Sequence, residues 1–161
     1  MGSGPVSKRS ASPVLNSGSP EETISIGRAL GGRLRAGDVV CLVGGLGSGK
    51  TWFTKGIALG LGLSDPGVVT SPTFVLVNVY PTRIPLRHYD LYRIEGGDLQ
   101  ALSFWDMRET SVSVIEWGDK VDPKLLGPHL RVIFEIMGET RRRLVLRASG
   151  TLNLSLEGAF G

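Results

Sequence analysis

The sequence predicts an α/β domain with a mixed, mostly parallel sheet flanked by helices. Three observations predict it. Asp38 to Val43 and Val112 to Glu116 are short, nearly continuous apolar runs, the pattern of strands buried on both faces. An amphipathic helix pattern precedes the first run, and a glycine-rich turn into a second helix follows it. Downstream, strand-like segments joined by short turns add antiparallel pieces to a parallel core. At 161 residues the chain fills one such domain and is too short for two.

The elements follow in order. Met1 to Ser19 is rich in Ser, Gly and Pro without periodicity, and is expected to be a disordered segment or an added tail. Ser19-Pro20-Glu21-Glu22 then supplies a capping hydroxyl, a proline at the first helical position and two early acids. Ile26, Leu30 and Leu34 recur every four residues, so the helix is expected to run until Gly37 stops it. After the 38–43 strand, Thr51 to about Leu61 reads as helix. Thr73 to Tyr80 and Leu86 to Leu91 read as strands, and Asp98 to Arg108 as helix. Leu130 to Met137 and Arg143 to Arg147 complete the strands, with Pro123, Gly127 and Pro128 as breaks before them. The folded domain is expected over 20–157, with 158–161 flexible.

Composition narrows the class. A hydrophobic fraction of 41% and a charged fraction of 20% are those of an ordinary globular protein. The net charge of +3 permits an anionic partner without arguing for one; Arg141, Arg142 and Arg143 read as a solvated face. The single cysteine, Cys41, excludes an internal disulfide and a cysteine zinc site, and sits in the 38–43 strand as a core residue. No apolar stretch is long enough for a membrane span and no signal-peptide pattern is visible, so a cytoplasmic protein is expected.

The chemistry is concentrated between the first buried strand and the second helix. Gly44-Gly45-Leu46-Gly47-Ser48-Gly49-Lys50-Thr51 matches G-x-x-x-x-G-K-[ST]. A polyphosphate is a dense anion, and successive backbone N–H groups surround it only where side chains leave room. Glycines give that clearance, and the helix beginning at Thr51 adds unpaired amides and the positive end of its dipole. Lys50 is placed to reach the β- and γ-phosphates, and the Thr51 hydroxyl to ligate Mg²⁺. Trp52 continues the nucleotide-binding segment. Neither N-K-x-D nor D-x-x-G occurs, which disfavours a guanine-specific GTPase and leaves ATP as substrate.

A phosphate-binding loop needs a second acidic group for the metal or the attacking water. Val112-Ser113-Val114-Ile115-Glu116 is an apolar strand ending in a carboxylate, the layout that supplies it. Asp90, inside His88-Tyr89-Asp90-Leu91-Tyr92-Arg93, is the other candidate, because aspartate is disfavoured in strands and is retained there for a reason. Thr70-Ser71-Pro72-Thr73 lies where P-loop proteins often place a loop that senses the γ-phosphate. His88 and His129 lack metal-ligand spacing and are expected to serve packing or surface roles.

Taken together, these segments resemble the TsaE (YjeE) family, the ATPase component of bacterial tRNA threonylcarbamoyladenosine biosynthesis. The likeness rests on Glu21-Glu22-Thr23, the 44–51 loop, Ser71-Pro72-Thr73-Phe74 with Leu76-Val77, the His88 to Arg93 segment and Ile115-Glu116-Trp117. It covers about Glu21 to Gly150. The resemblance implies a P-loop NTPase fold, phosphate binding by Lys50 and the loop amides, Mg²⁺ at Thr51 and Glu116, a requirement for Asp90 in hydrolysis, and a switch-like segment at Ser71, Pro72 and Thr73. It also implies a nucleotide contact by Arg142, and partners of the TsaB and TsaD type that transfer threonylcarbamoyl to adenosine 37 of tRNA. Gly45 stands where the family usually has an acid, and Gly118 where it usually has proline. A small P-loop kinase and a nucleotide-sensing module without turnover are the alternatives.

Overall fold

A computed structural model of the chain describes residues 12–70, 77–91, 103–116, 122–150 and 154–160. Among them are seven strands: β1 (Val14–Ser17), β2 (Val39–Val43), β3 (Val77–Tyr80), β4 (Leu86–Asp90), β5 (Val112–Glu116), β6 (His129–Ile136) and β7 (Arg142–Ser149). The helices are α1 (Pro20–Gly31), α2 (Lys50–Gly60) and two single turns, α3 (Phe104–Met107) and α4 (Pro123–Leu126). The strands form one sheet in the order β1-β7-β6-β2-β5-β4-β3. Its centre, β6-β2-β5-β4, is parallel, and antiparallel strands close both edges. This is the mixed α/β arrangement that the sequence predicts.

Alternation along each strand divides the sheet into two faces. Val40 and Leu42, Leu86, Val112 and Val114, Leu130, Val132 and Phe134 join Phe53 and Ile57 of α2 and Leu30 of α1 in the main core. Val39, Cys41, Tyr89 and Ile115 face the other way, against Phe104 and Leu126. Phe53 and Phe134 meet edge-to-face with ring centroids 5.4 Å apart, adding roughly 0.5–1.5 kcal/mol to what their burial contributes.

Two glycine pairs decide how α1 and α2 meet. Gly27 and Gly31 lie one turn apart on α1, and Gly56 and Gly60 one turn apart on α2, so each pair lines one helix face. A Cβ on Gly56 would stand 2.1 Å from the Ile24 carbonyl oxygen, and one on Gly27 2.3 Å from that of Phe53. Gly31 and Gly60 face Ile57 O and Arg28 O equally closely, each at 2.4 Å. The two helices therefore pack backbone to backbone. This contact holds the N-terminus of α2 over the sheet.

Helix α1 starts as predicted: the Ser19 hydroxyl accepts from the Glu22 amide at 3.1 Å, and Pro20 opens the first turn. It stops at Gly31, six residues before Gly37. Leu34 keeps the apolar spacing that suggested a longer helix and is buried, but reaches the core from the irregular segment after the helix. The Gly31-Gly32 pair is poor helix sequence, and the chain leaves the helix there. Two further corrections concern the termini. Val14–Ser17, within the stretch expected to be disordered, forms edge strand β1, because β7 offers it a partner with Val14 opposite Val145 and Ser17 opposite Arg142. Phe160, expected in a flexible tail, is half-buried against the main core. Met1 to Ala11 lies outside the described residues, as do positions 98–102 of the 98–108 helix. Of that helix, Phe104–Met107 is helical and Arg108–Thr110 continues as a tighter 3₁₀ turn.

Candidate active site

The site forms where the parallel strands end. Leu42 of β2 pairs with Glu116 of β5, and Glu116 pairs with Asp90 of β4, so the three share one row across the sheet. Two residues beyond Leu42 the chain enters the 44–51 loop. The carboxyl ends of parallel strands, at the strand where connections run to both sides, are where open α/β sheets bind ligands. Here β2 has β6 on one side and β5 on the other.

Loop geometry follows from its glycines. Gly49 takes φ +105° as it caps α2, and Gly47 takes φ +75°, both in the left-handed region that favours glycine. Gly44 is needed for space, since a Cβ there would lie 2.6 Å from Ser48 Oγ and 3.0 Å from Phe134 Cβ. No side chain caps the N-terminus of α2. Its first-turn amides and dipole thus face the loop, the arrangement that attracts an anion. Ser48 Oγ is buried with no hydrogen-bond partner, a polar atom inside the loop awaiting one.

Lys50 is almost fully buried, and its ammonium donates to the carbonyls of Gly44 at 2.6 Å and Gly45 at 3.1 Å. The lysine is thereby held across the loop that it belongs to. Thr51, next on the helix, is half-buried. Asp90 and Glu116 are both buried, at 5% and 3% exposure, on the sheet face that carries α2. Two carboxylates, a lysine and a hydroxyl are brought to one end of the sheet.

Arg142 approaches from β7. One guanidinium nitrogen donates to Gly47 O at 3.0 Å; the other donates to Gly138 O and Arg141 O, each at 2.9 Å. The arginine ties the β6–β7 turn to the tip of the loop. Between them opens a cleft lined by Thr23, Gly49, Trp52, Glu139 and Arg142. Trp52 is 42% exposed, with Lys55 Nζ 4.9 Å from its ring centre. Leu46, at the loop tip, is 75% exposed. Ser71, Pro72 and Thr73 lie outside the described residues; Thr70 just before them donates its amide to the Tyr80 hydroxyl at 3.4 Å.

A residue expected from the sequence to serve a packing or surface role stands inside this site. His88 Nε2 is hydrogen-bonded to Glu116 Oε2, and both side chains are buried. The signal was available, because His88 and Asp90 are two apart on a strand and so share a face. His129, for which a packing or a surface role was expected, is buried, with its Nδ1–H donating to Gly127 O at 2.8 Å. Burial pushes its pKa below the ordinary histidine value; the Gly127 bond opposes this, and Arg131 and Arg108 add to it.

The family model for threonylcarbamoyl adenosine biosynthesis protein TsaE matches residues 17–144. The chain belongs to the TsaE family. It is 43% identical over 121 residues to the tRNA threonylcarbamoyladenosine biosynthesis protein TsaE of Streptomyces coelicolor, covering 71% of this chain and 80% of that one. The protein of the same name from Treponema pallidum is 36% identical over 134 residues, 80% of this chain and 95% of its own length. That of Bacillus subtilis is 35% identical, covering 81% and 82%. Among solved structures, Bacillus subtilis YdiB superposes with a TM-score of 0.69 at 29% identity over 87% of each chain. The TsaE match and the loop between β2 and α2 together identify the fold as that of the P-loop NTPases. No helix among the described residues is long and apolar enough to cross a membrane.

Proposed function

We propose that the chain is a magnesium-dependent ATPase that supports threonylcarbamoyl transfer to adenosine 37 of tRNA, acting in the cytoplasm by resetting a complex of TsaB- and TsaD-type partners. The observation that carries this reading is the shared row of Asp90 and Glu116 beside the loop that holds Lys50.

In this reading the loop amides and Lys50 bind the β- and γ-phosphates, and the ammonium moves from its carbonyl partners to the incoming anion. The cleft beside Trp52 and Arg142 receives the nucleoside end, with the indole as a flat apolar contact. Thr51, Asp90 and Glu116 offer only hard oxygen donors, the set that Mg²⁺ takes alongside substrate phosphates. They fit the ion. When bound, Mg²⁺ would neutralise charge on the phosphate oxygens. Thr51 and Glu116 would hold it, and Asp90 would orient the attacking water. Burial of both acids keeps bulk water away from the carboxylates and strengthens what they do.

Product analysis with γ-labelled ATP tests the chemistry. Label is expected in inorganic phosphate; transfer to a nucleoside or metabolite would replace the ATPase by a kinase. Co-purification with TsaB- and TsaD-type proteins, with and without ATP, tests the assembly. Loss of capture in both states would remove the partner reading.

A further inference from the structure

His88 and Glu116 form a buried pair that neither fold nor phosphate binding requires. His88 is fully buried on β4, opposite Val114 of β5, and Glu116 lies two residues further along β5 on the same face. Desolvating an imidazole and a carboxylate together is costly, and a leucine would fill the position without that cost. A carboxylate only accepts hydrogen bonds, so the imidazole proton is on Nε2. His88 Nδ1 has no hydrogen-bond partner. The ring is thus committed to a single polar contact, the one with Glu116 Oε2.

We propose that His88 is a positioning residue for Glu116. This deepens, and rests on, the reading of Glu116 as the carboxylate that serves the nucleotide-bound metal. Glutamate has three side-chain torsions, and a free carboxylate at the sheet edge would sample several orientations. The Nε2–H bond engages one oxygen and fixes the plane of the group, leaving the other oxygen for metal or water. Backbone pairing contributes the rest, since β4 and β5 hold the two residues in register. His88 acts through Glu116 and touches no reacting atom itself. Removing such a supporting partner typically lowers metal affinity or activity about 10–100-fold.

The test uses the full chain and four variants: His88→Leu, His88→Gln, Glu116→Gln and the double variant His88→Leu/Glu116→Gln. Imidazole ¹⁵N NMR on the nucleotide-free protein should show His88 as the Nε2–H tautomer, with a resonance that shifts in Glu116→Gln. Calorimetric nucleotide binding across a Mg²⁺ series should show His88→Leu needing about 10–100-fold more Mg²⁺. Turnover should fall through kcat with little change in KM. His88→Gln, which keeps an N–H donor, should recover most of the loss and also controls for folding. On the Glu116→Gln background, His88→Leu should add little. An Nδ1–H tautomer, a Mg²⁺ dependence unchanged in His88→Leu, or a full additional loss in the double variant would overturn the proposal. Should the wild-type chain release no phosphate, the hydrolytic reading fails by itself. The tautomer and the Mg²⁺ dependence of nucleotide binding still decide for or against His88.

Discussion

Asp90 and Glu116 face each other across β4 and β5, on the last residue of each strand. Two buried acids on adjacent parallel strands would repel each other were nothing cationic brought between or beside them. The arrangement therefore favours a cationic occupant at the sheet's carboxyl edge, where Lys50 already stands and where a metal-bound nucleotide would complete it. Glu116→Gln and Asp90→Asn keep shape while removing one charge each. At saturating Mg²⁺ both are expected to retain ATP binding within a few-fold and to slow single-turnover hydrolysis by about 100-fold or more, the scale on which catalytic acid–base groups act. Rapid-quench phosphate release checks this. A variant with wild-type turnover loses its place in the catalytic set.

Lys50 makes a second prediction. Its ammonium is held by two loop carbonyls, so the charge is in position before any ligand arrives. Lys50→Ala removes a charge-assisted contact of roughly 1.5–3 kcal/mol, and ATP affinity should drop about 10–100-fold. Thermal denaturation of the nucleotide-free variant should stay near wild type, since Lys50 supports the loop more than the core. An unchanged dissociation constant would show that Lys50 does not meet the phosphates.

The glycine contact between α1 and α2 predicts a stability effect remote from the chemistry. Gly56→Ala drives a methyl group against the Ile24 carbonyl, and neither helix backbone can yield without moving the other. Destabilisation of about 1–3 kcal/mol or more is expected from urea unfolding, despite alanine's better helix propensity. Gly45→Ala is the matched control. A Cβ there meets nothing within 4 Å and its φ is not positive, so its unfolding curve should overlay the wild type.

These residues also show what could be read in the sequence and what could not. The 44–51 loop and the strand ending in Glu116 were legible because each is a local pattern, a spacing or an apolar run closed by a charged residue. Asp90 was legible as a propensity violation. The His88 contact was not, because it depends on β4 lying beside β5, and no short window contains both. Strand β1 failed for the same reason. Its four residues carry little strand signal, and they pair with a strand some 130 residues downstream. The glycine pairs were visible at i, i+4 but ambiguous, because glycine inside a helix reads first as a weakness. Only the second helix turns it into a contact surface. The stretch 71–73, expected to be switch-like, lies outside the described residues.

His129 predicts a pH dependence of stability. Its imidazole is buried with Nδ1–H on Gly127 O, and burial is the largest cause of a folded-state pKa below 6.5. Between that lowered value and 6.5, the unfolded chain binds a proton here that the folded chain refuses. Stability at this position is therefore fully present above about pH 6.5 and falls as the pH drops through that value. The decline ends once the pH passes below the folded pKa. His129→Asn keeps a side-chain N–H for Gly127 and cannot titrate. Melting temperatures taken from about pH 7.5 down to about pH 5.5 should fall less steeply for this variant than for the wild type. His88 is present in both proteins, so its share cancels in the difference. Parallel curves would mean that the folded protein accepts the proton on His129 as readily as the unfolded chain does, and the burial argument for that residue would be lost.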